Sequence, residues 1–282
     1  MNRIIVFYHK RALGPCADGF GAAWVAWKKF GNKAEYIGLE NGTEPIFEIK
    51  NAEVYFLDIG FREEMMKKLV GQNKKVVFID HHISRKDYMK FINEGSFSMD
   101  NSGSVLAWKY FYPGKKVPKL LRHVEDYDLW KFKLPNTKEI ISFLGLYPKD
   151  FRRWNKLVSD FENPETAKKH IIAGRTILQY ESGIVSALVG NGEEVVFDGH
   201  KALAVNSPVL ISEIGSYVRD ERGIPLAIIW YRTKSVISVS LRSDGSIDCA
   251  KLAEKYGGGG HEAASGFTLR IDENFPWKKP KR

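Results

Sequence analysis

Three groups able to bind a metal or move a proton stand side by side in "VVFIDHHISR" (residues 76–85), where an apolar run ends in Asp80, His81 and His82. A β-strand sends neighbouring side chains to opposite faces, so only alternate members of such a triplet share a face unless the chain turns there. The triplet therefore predicts a strand that stops and opens onto a site. Related groups follow other apolar runs: His9 ends "RIIVFYH", and Asp58 lies within "AEVYFLDIGF". Oxygen and nitrogen donors of this kind suit a divalent cation such as Mn²⁺ or Mg²⁺, and the donor types also admit Zn²⁺, Co²⁺ or Fe²⁺. One bridging carboxylate can hold two such ions about 4 Å apart, which activates a water and stabilises both oxygens of an in-line displacement at phosphorus. His9, Asp18, Asp58, Asp80, His81 and a carboxylate from "HVEDYDLW" (residues 123–130) can supply the three or so donors each ion needs.

These residues need elements to position them. Over the first 95 residues, short apolar runs alternate with helix-like stretches at 20–30 and 62–73. That order predicts βαβ units and a mainly parallel sheet flanked by helices. Ligands of such sheets bind beyond the carboxyl ends of the strands. Trp24, Trp27 and Phe30 follow helical spacing and belong to a core, and "NSGSVLAWKYF" starts a helix capped by Asn101 or Ser102 with Trp108 on a buried face. Helical patterns continue to about residue 190, and strands return in "KALAV", "PLAIIWYR", "SVISVSLRS" and "ASGFTLR", with a helix at "IDCAKLAEKY". The expected fold is α/β. It has a catalytic domain at 1–150, a helical linker at 151–188, a smaller C-terminal α/β domain at 189–275 and a basic tail at 276–282, with the active site in the interdomain cleft.

Composition narrows the setting. A chain of 282 residues can bury two cores, and its net charge of +9 favours anionic partners. No apolar run approaches the roughly 18 residues of a membrane span, and the start shows no signal-peptide pattern, so a cytoplasmic protein without a membrane role is expected. Cys16 and Cys249 are the two cysteines, too few and too far apart for a disulfide framework.

The motifs, in order, are "YH…DGFGAAW", "FLDIGF", "IDHH" and "KYGGGGHEAASGF". Over about residues 3–270 the chain resembles the DHH phosphoesterase family with its DHH-associated C-terminal domain, in the group of nanoRNases, RecJ-like enzymes and exopolyphosphatase-related proteins. That resemblance implies a hydrolase acting on phosphoester bonds through metal-activated water. Its substrates would be short oligonucleotides, nucleotides or other small phosphorylated molecules, cleaved in the manner of an exonuclease or oligoribonuclease, and a homodimer is compatible with it. The implied cofactor is Mn²⁺, as two ions, with Mg²⁺ or Co²⁺ as substitutes. The implied metal ligands are His9, Asp18, Asp58 as the bridge, His81, and an aspartate best matched by Asp126, with Asp128 as competitor and Glu125 less suited. His82 faces the scissile phosphate, and Asp80 supports the catalytic cluster through hydrogen bonds.

In the second domain, Gly258, Gly259, Gly260 and His261 would bind substrate through close backbone approach and a histidine donor, and Arg242 would clamp a terminal phosphate. The chain departs from the family pattern twice. Cys16 stands where many members have a first aspartate two residues before Asp18, which weakens one metal site, substitutes a thiolate, or reflects a shifted alignment. The stretch from His9 to Asp18 is also long and carries Lys10 and Arg11 as further substrate contacts. His123 is read as a packing or surface histidine, and His170 and His200 receive no role. Alternatives within the family are a cyclic-dinucleotide phosphodiesterase, a bisphosphonucleotide phosphatase and an exopolyphosphatase or pyrophosphatase. Outside it stands a nucleotide-binding protein that has lost catalysis.

Overall fold

A computed structural model describes residues 3–10, 16–45, 47–92, 94–147 and 150–280. Arg11, expected to meet substrate, and the last two residues of the basic tail lie outside the described residues. The chain divides into two compact units, Met1–Leu178 and Gln179–Arg282.

The first unit contains β1 (Ile4–His9), α1 (Ala17–Phe30), β2 (Ala34–Leu39), β3 (Glu53–Leu57), α2 (Glu63–Gln72), β4 (Lys75–Asp80) and β5 (Gly95–Phe97). It continues with α3 (Gly103–Phe111), α4 (Lys119–Asp128), α5 (Thr137–Leu144) and α6 (Phe151–Glu162), and α7 (Pro164–Gly190) carries the chain across the division between the units. The helical stretch expected at 151–188 thus forms α6 and α7. The five strands form one parallel sheet in the order β2-β1-β3-β4-β5.

Strand alternation distributes the apolar residues between two layers. Val6, Leu57, Val77 and Ile79 face Trp24 of α1, Trp108 of α3 and Leu120, Leu121 and Val124 of α4. Ile5, Phe7, Val54, Phe56 and Phe78 face Met66 and Leu69 of α2 on the other side. The Trp24 and Trp108 rings stack with centroids 6.0 Å apart. Trp24 is 1% exposed, so truncation to alanine would cost about 3–5 kcal/mol. The consequence for the site is that β1, β3 and β4, all parallel, end on the same edge of a sheet buried on both faces.

The second unit contains β6 (Glu193–Phe197), β7 (His200–Asn206), α8 (Ile211–Arg222), β8 (Leu226–Arg232), β9 (Val236–Ser243), α9 (Cys249–Glu254), β10 (Gly259–His261) and β11 (Ala264–Arg270). Its sheet runs β10-β11-β9-β8-β7-β6, with only the β7–β8 pair parallel. One face packs Leu226, Ile228, Val239, Leu241 and Phe267 against α9. The opposite face packs Leu203, Val205, Ala227 and Ile229 against Ile214 and Val218 of α8. No described helix is long and apolar enough to cross a membrane.

Candidate metal centre

The ends of the three central strands bring the chemistry together. His9 is the last residue of β1, Asp58 follows β3 directly, and Asp80 closes β4. Asp58 adopts a left-handed backbone, φ 59°, which is strained for a residue with a side chain, while its amide still bonds to the Ile79 carbonyl at 2.9 Å. That turn directs a 2%-exposed carboxylate into the cluster.

The DHH triplet resolves through Asp80. Its Oδ1 accepts the backbone N–H groups of His81 at 2.7 Å and His82 at 3.0 Å, and it lies 2.6 Å from His82 Nδ1. The chain therefore turns around its own last strand residue, and both imidazoles reach one side despite the period of two. Arg85 donates from Nη1 to Asp80 Oδ2 at 3.0 Å and from Nη2 to Asn41 Oδ1 at 2.6 Å, and Asn41 Nδ2 lies 3.4 Å from His9 Nε2. Arg85 and Asn41 were not singled out in the sequence, although Arg85 lies within the quoted motif.

Asp18 sits in the first turn of α1, where Cys16 caps the helix by accepting the Gly19 N–H at 3.3 Å. Gly103 and Ser104 at the start of α3 donate backbone N–H groups to Asp18 Oδ2 at 2.7 Å and Oδ1 at 2.9 Å. A helix N-terminus thus holds this carboxylate. Gly103 was also missed in the sequence. A Cβ there would lie 2.7 Å from Asp58 Cβ and 3.0 Å from Asp18 Oδ2, so only glycine lets α3 approach both aspartates.

Three donor groups result: His9, Cys16 and Asp58; Asp18, His81 and Asp128; and Asp58 with Asp80, His81 and His82. In the first, His9 Nδ1 lies 3.3 Å from Cys16 Sγ and 3.5 Å from Asp58 Oδ2, and Cys16 Sγ lies 3.9 Å from that oxygen. In the second, His81 Nε2 lies 3.5 Å from Asp128 Oδ2 and 4.0 Å from Asp18 Oδ2. Asp58 Oδ1 approaches His81 Nε2 at 3.2 Å and His82 Nδ1 at 3.7 Å, so Asp58 belongs to both sides.

The expected preference for Asp126 over Asp128 is corrected here. Asp126 Oδ1 accepts the Lys133 N–H at 2.8 Å, and Oδ2 accepts the Leu134 N–H at 3.1 Å and the Thr137 hydroxyl at 2.7 Å. It fastens the end of α4 to the start of α5. Residues two apart on a helix point in different directions, and the closing residue of α4, Asp128, faces the cluster instead. Glu125 caps α3, accepting from the Asn101 side chain and the Ser102 amide at 3.0 Å each. His123 packs with Nδ1 2.9 Å from Thr137 Oγ1, in the packing role expected for it.

Charge inside the cluster is tightly coupled. Burial pushes the Asp18 carboxyl up, and the neighbouring Asp128 and Asp58 add to it, to about 7. Burial works against the charged forms of His9 and His81, yet Cys16 and Asp58 beside His9, and Asp58, Asp128 and Asp18 beside His81, hold each imidazole at about 10. Asp58 is held well below the usual carboxylate range despite its burial, because His81 and His9 flank it. Here the imidazolium protons stand where a cation would supply the balancing charge, and cation binding would release them.

The donor set fits divalent cations. A tetrahedral ion with bonds of roughly 2.0–2.3 Å has ligand–ligand edges of roughly 3.3–3.8 Å, close to the 3.3, 3.5 and 3.9 Å of the His9, Cys16 and Asp58 group. Asp58 Oδ1 is also fully buried without a hydrogen-bond partner among the described residues, an arrangement that a cation would satisfy.

In the second unit, the residues expected to bind substrate share one register line. His261 pairs with Ala264, which pairs with Arg242 on β9. Directly opposed residues project from the same face, so Arg242 and His261 flank the small Ala264 about 10 Å apart, two strand spacings. Arg242 donates to the Leu241 carbonyl at 2.9 Å and contacts Ser212 Oγ at 3.4 Å, and Gly215 of α8 leaves room for its stem. The four-glycine run is partly a strand. Gly259 pairs with Gly266, Gly260 has φ 147°, and a side chain at Gly258 would strike Gly266 and Phe267.

Residues 200–276 match the DHHA1 domain family. An uncharacterized protein of Acanthamoeba polyphaga mimivirus is 27% identical over 98% of this chain and 70% of its own length. Among solved structures, the DHH domain of a protein described as a member of a ribosomal-protein family aligns with a TM-score of 0.62 at 15% identity, over 94% of this chain and 82% of that one. An exopolyphosphatase-related protein from Bacteroides fragilis aligns with a TM-score of 0.50 at 13% identity, over 97% and 88%. These likenesses show the fold of the two sheets, and residues 200–276 carry a DHHA1 domain.

Proposed function

We propose that this protein is a divalent-metal-dependent phosphoesterase that hydrolyses short oligonucleotides or small nucleotides. The observation that carries the reading is two adjacent three-donor groups, His9–Cys16–Asp58 and Asp18–His81–Asp128, linked where Asp58 Oδ1 lies 3.2 Å from His81 Nε2. His9, Cys16 and Asp58 would hold one cation, and Asp18, His81, Asp128 and Asp58 the other, with Mn²⁺, Mg²⁺ or Co²⁺ suited to the oxygen-rich position. When bound, such cations supply an activated water and neutralise charge developing on the phosphoryl oxygens.

The chain's own groups do the rest. Asp80 Oδ1 holds His82 Nδ1 at 2.6 Å, so His82 Nε2 is the ring atom that would face a phosphoryl oxygen. Arg242 would bind a terminal phosphate, with His261 and the amides of Gly258 to Gly260 receiving the remainder of the nucleotide. Cys16 keeps a donor at the position many relatives give to aspartate, which favours an active enzyme over a binding protein that has lost catalysis.

The test is hydrolysis by metal-stripped protein given Mn²⁺ and offered dinucleotides, cyclic dinucleotides, bisphosphonucleotides and polyphosphate. Turnover of a linear dinucleotide above the others is expected, and Asp58→Ala should abolish it. Intact binding with no turnover of any substrate would refute the enzymatic reading.

A further inference from the structure

Cys16 separates this centre into two unlike halves. The residue is 4% exposed and its sulfur lies 3.3 Å from His9 Nδ1, with Asp58 completing the group. The other group, Asp18, His81 and Asp128, contains no sulfur. Thiolate and imidazole together select borderline or soft cations, whereas carboxylate-rich sets suit Mn²⁺ and Mg²⁺. The capping role does not explain the cysteine, because serine and aspartate are the stronger N-cap residues and would accept the Gly19 N–H equally well. A buried sulfur accepting a backbone N–H at one lone pair, 3.3 Å from an imidazole nitrogen and 3.9 Å from a carboxylate oxygen, has the surroundings of a metal-bound thiolate.

We infer that the His9–Cys16–Asp58 position takes a thiophilic divalent cation of the zinc class through the Cys16 sulfur, making the protein a mixed-metal enzyme with the second, oxygen-rich position left to Mn²⁺ or Mg²⁺. The inference rests on the two-cation reading of the site and goes beyond it in assigning different metals to its halves. Mn²⁺ alone would then fill one position well and the other poorly.

Co²⁺ titration of the metal-stripped full chain reads this directly, because cobalt–thiolate bonds give a near-ultraviolet charge-transfer band that oxygen and nitrogen ligands lack. The wild-type band should grow to one equivalent per chain and persist in Cys249→Ser. It should vanish in Cys16→Ser and Cys16→Asp, both of which preserve the helix cap. Zn²⁺ should displace the band at stoichiometric amounts and Mn²⁺ should not, and Cys16→Asp should weaken Zn²⁺ binding at this position at least about tenfold. Two bound Co²⁺ without a thiolate band would overturn the inference and leave the two-cation reading intact. Failure to bind Co²⁺ at all would overturn both.

Discussion

Asp126 and Asp128 sit two residues apart on the last turn of α4, and the structure gives them opposite dependencies. Asp126 is 4% exposed and accepts two backbone N–H groups and one hydroxyl. Hydrogen bonds to a charged acceptor contribute roughly 1.5–3 kcal/mol each. In Asp126→Asn, one oxygen becomes an amino group that faces donors, so at least one bond is lost and one donor stranded. The metal-free protein should lose about 2–4 kcal/mol in urea unfolding, with its complement of bound cations unchanged. Burial raises the Asp126 carboxyl, but Thr137 and the Lys133 and Leu134 amides outweigh burial and hold it below its usual range. A depressed folded-state value contributes stability above the unfolded value near about 3.9, lost as pH falls through the folded one, so the gap between wild type and Asp126→Asn should close below about pH 4.

Asp128→Asn removes instead a partly exposed charge, 3.5 Å from His81 Nε2, at a helix C-terminus where negative charge is unfavourable by about 0.3–1 kcal/mol. Its metal-free stability should change by less than about 1 kcal/mol, while affinity for the second cation falls at least about 100-fold, read by equilibrium dialysis. An Asp126→Asn protein that loses a cation, beside an Asp128→Asn protein that keeps two, would refute the assignment of the two aspartates.

Three further outcomes follow from the same geometry. Gly103→Ala forces a Cβ against Asp58 and Asp18, and a displacement approaching 1 Å should reduce kcat about 100-fold with the fold retained by circular dichroism. Arg85→Ala leaves the Oδ2 of the fully buried Asp80 without its guanidinium partner, which should cost about 3–5 kcal/mol in thermal or urea unfolding, and Arg85→Lys should recover part of it. Arg242→Ala should raise KM roughly 10- to 100-fold for a 5′-phosphorylated dinucleotide and leave the unphosphorylated one unaffected, so equal effects on both would remove Arg242 as the phosphate clamp.

The parallel sheet and most candidate ligand positions were legible because burial on both faces writes continuous apolar runs into β1, β3 and β4, and the polar residues ending those runs stand out. His9, Asp58, His81 and His82 were marked in this way and Asp18 by the family resemblance, and the structure brings them together. The β6 strand was not named, although Val195 and Phe197 alternate inward between exposed neighbours. Residues defined by reach escaped entirely. Nothing local in the sequence says that Arg85 will span from Asp80 to Asn41, or that Gly103 will approach two aspartates far upstream. The choice between Asp126 and Asp128 failed for a related reason. Motif spacing cannot show which carboxylate the turn after α4 has already engaged.

Saturation of hydrogen bonds separates roles that residue types leave mixed. Asp58 and Asp80 are both buried aspartates at neighbouring strand ends, each within 4 Å of imidazole nitrogens. Asp80 already accepts from four groups, two backbone N–H groups and His82 on Oδ1 and Arg85 on Oδ2. A cation on Oδ1 would have to displace a donor that already satisfies it. Asp58 has a buried oxygen with no hydrogen-bonded donor among the described residues and two histidines at its flanks, so a cation completes it at no such loss. On the proposed reading, Asp80 would therefore act through His82, by holding its ring, and Asp58 would act on the cations themselves. The DHH triplet would then join one positioning carboxylate to two histidines with different tasks, His81 toward the carboxylate cluster and His82 toward a phosphate.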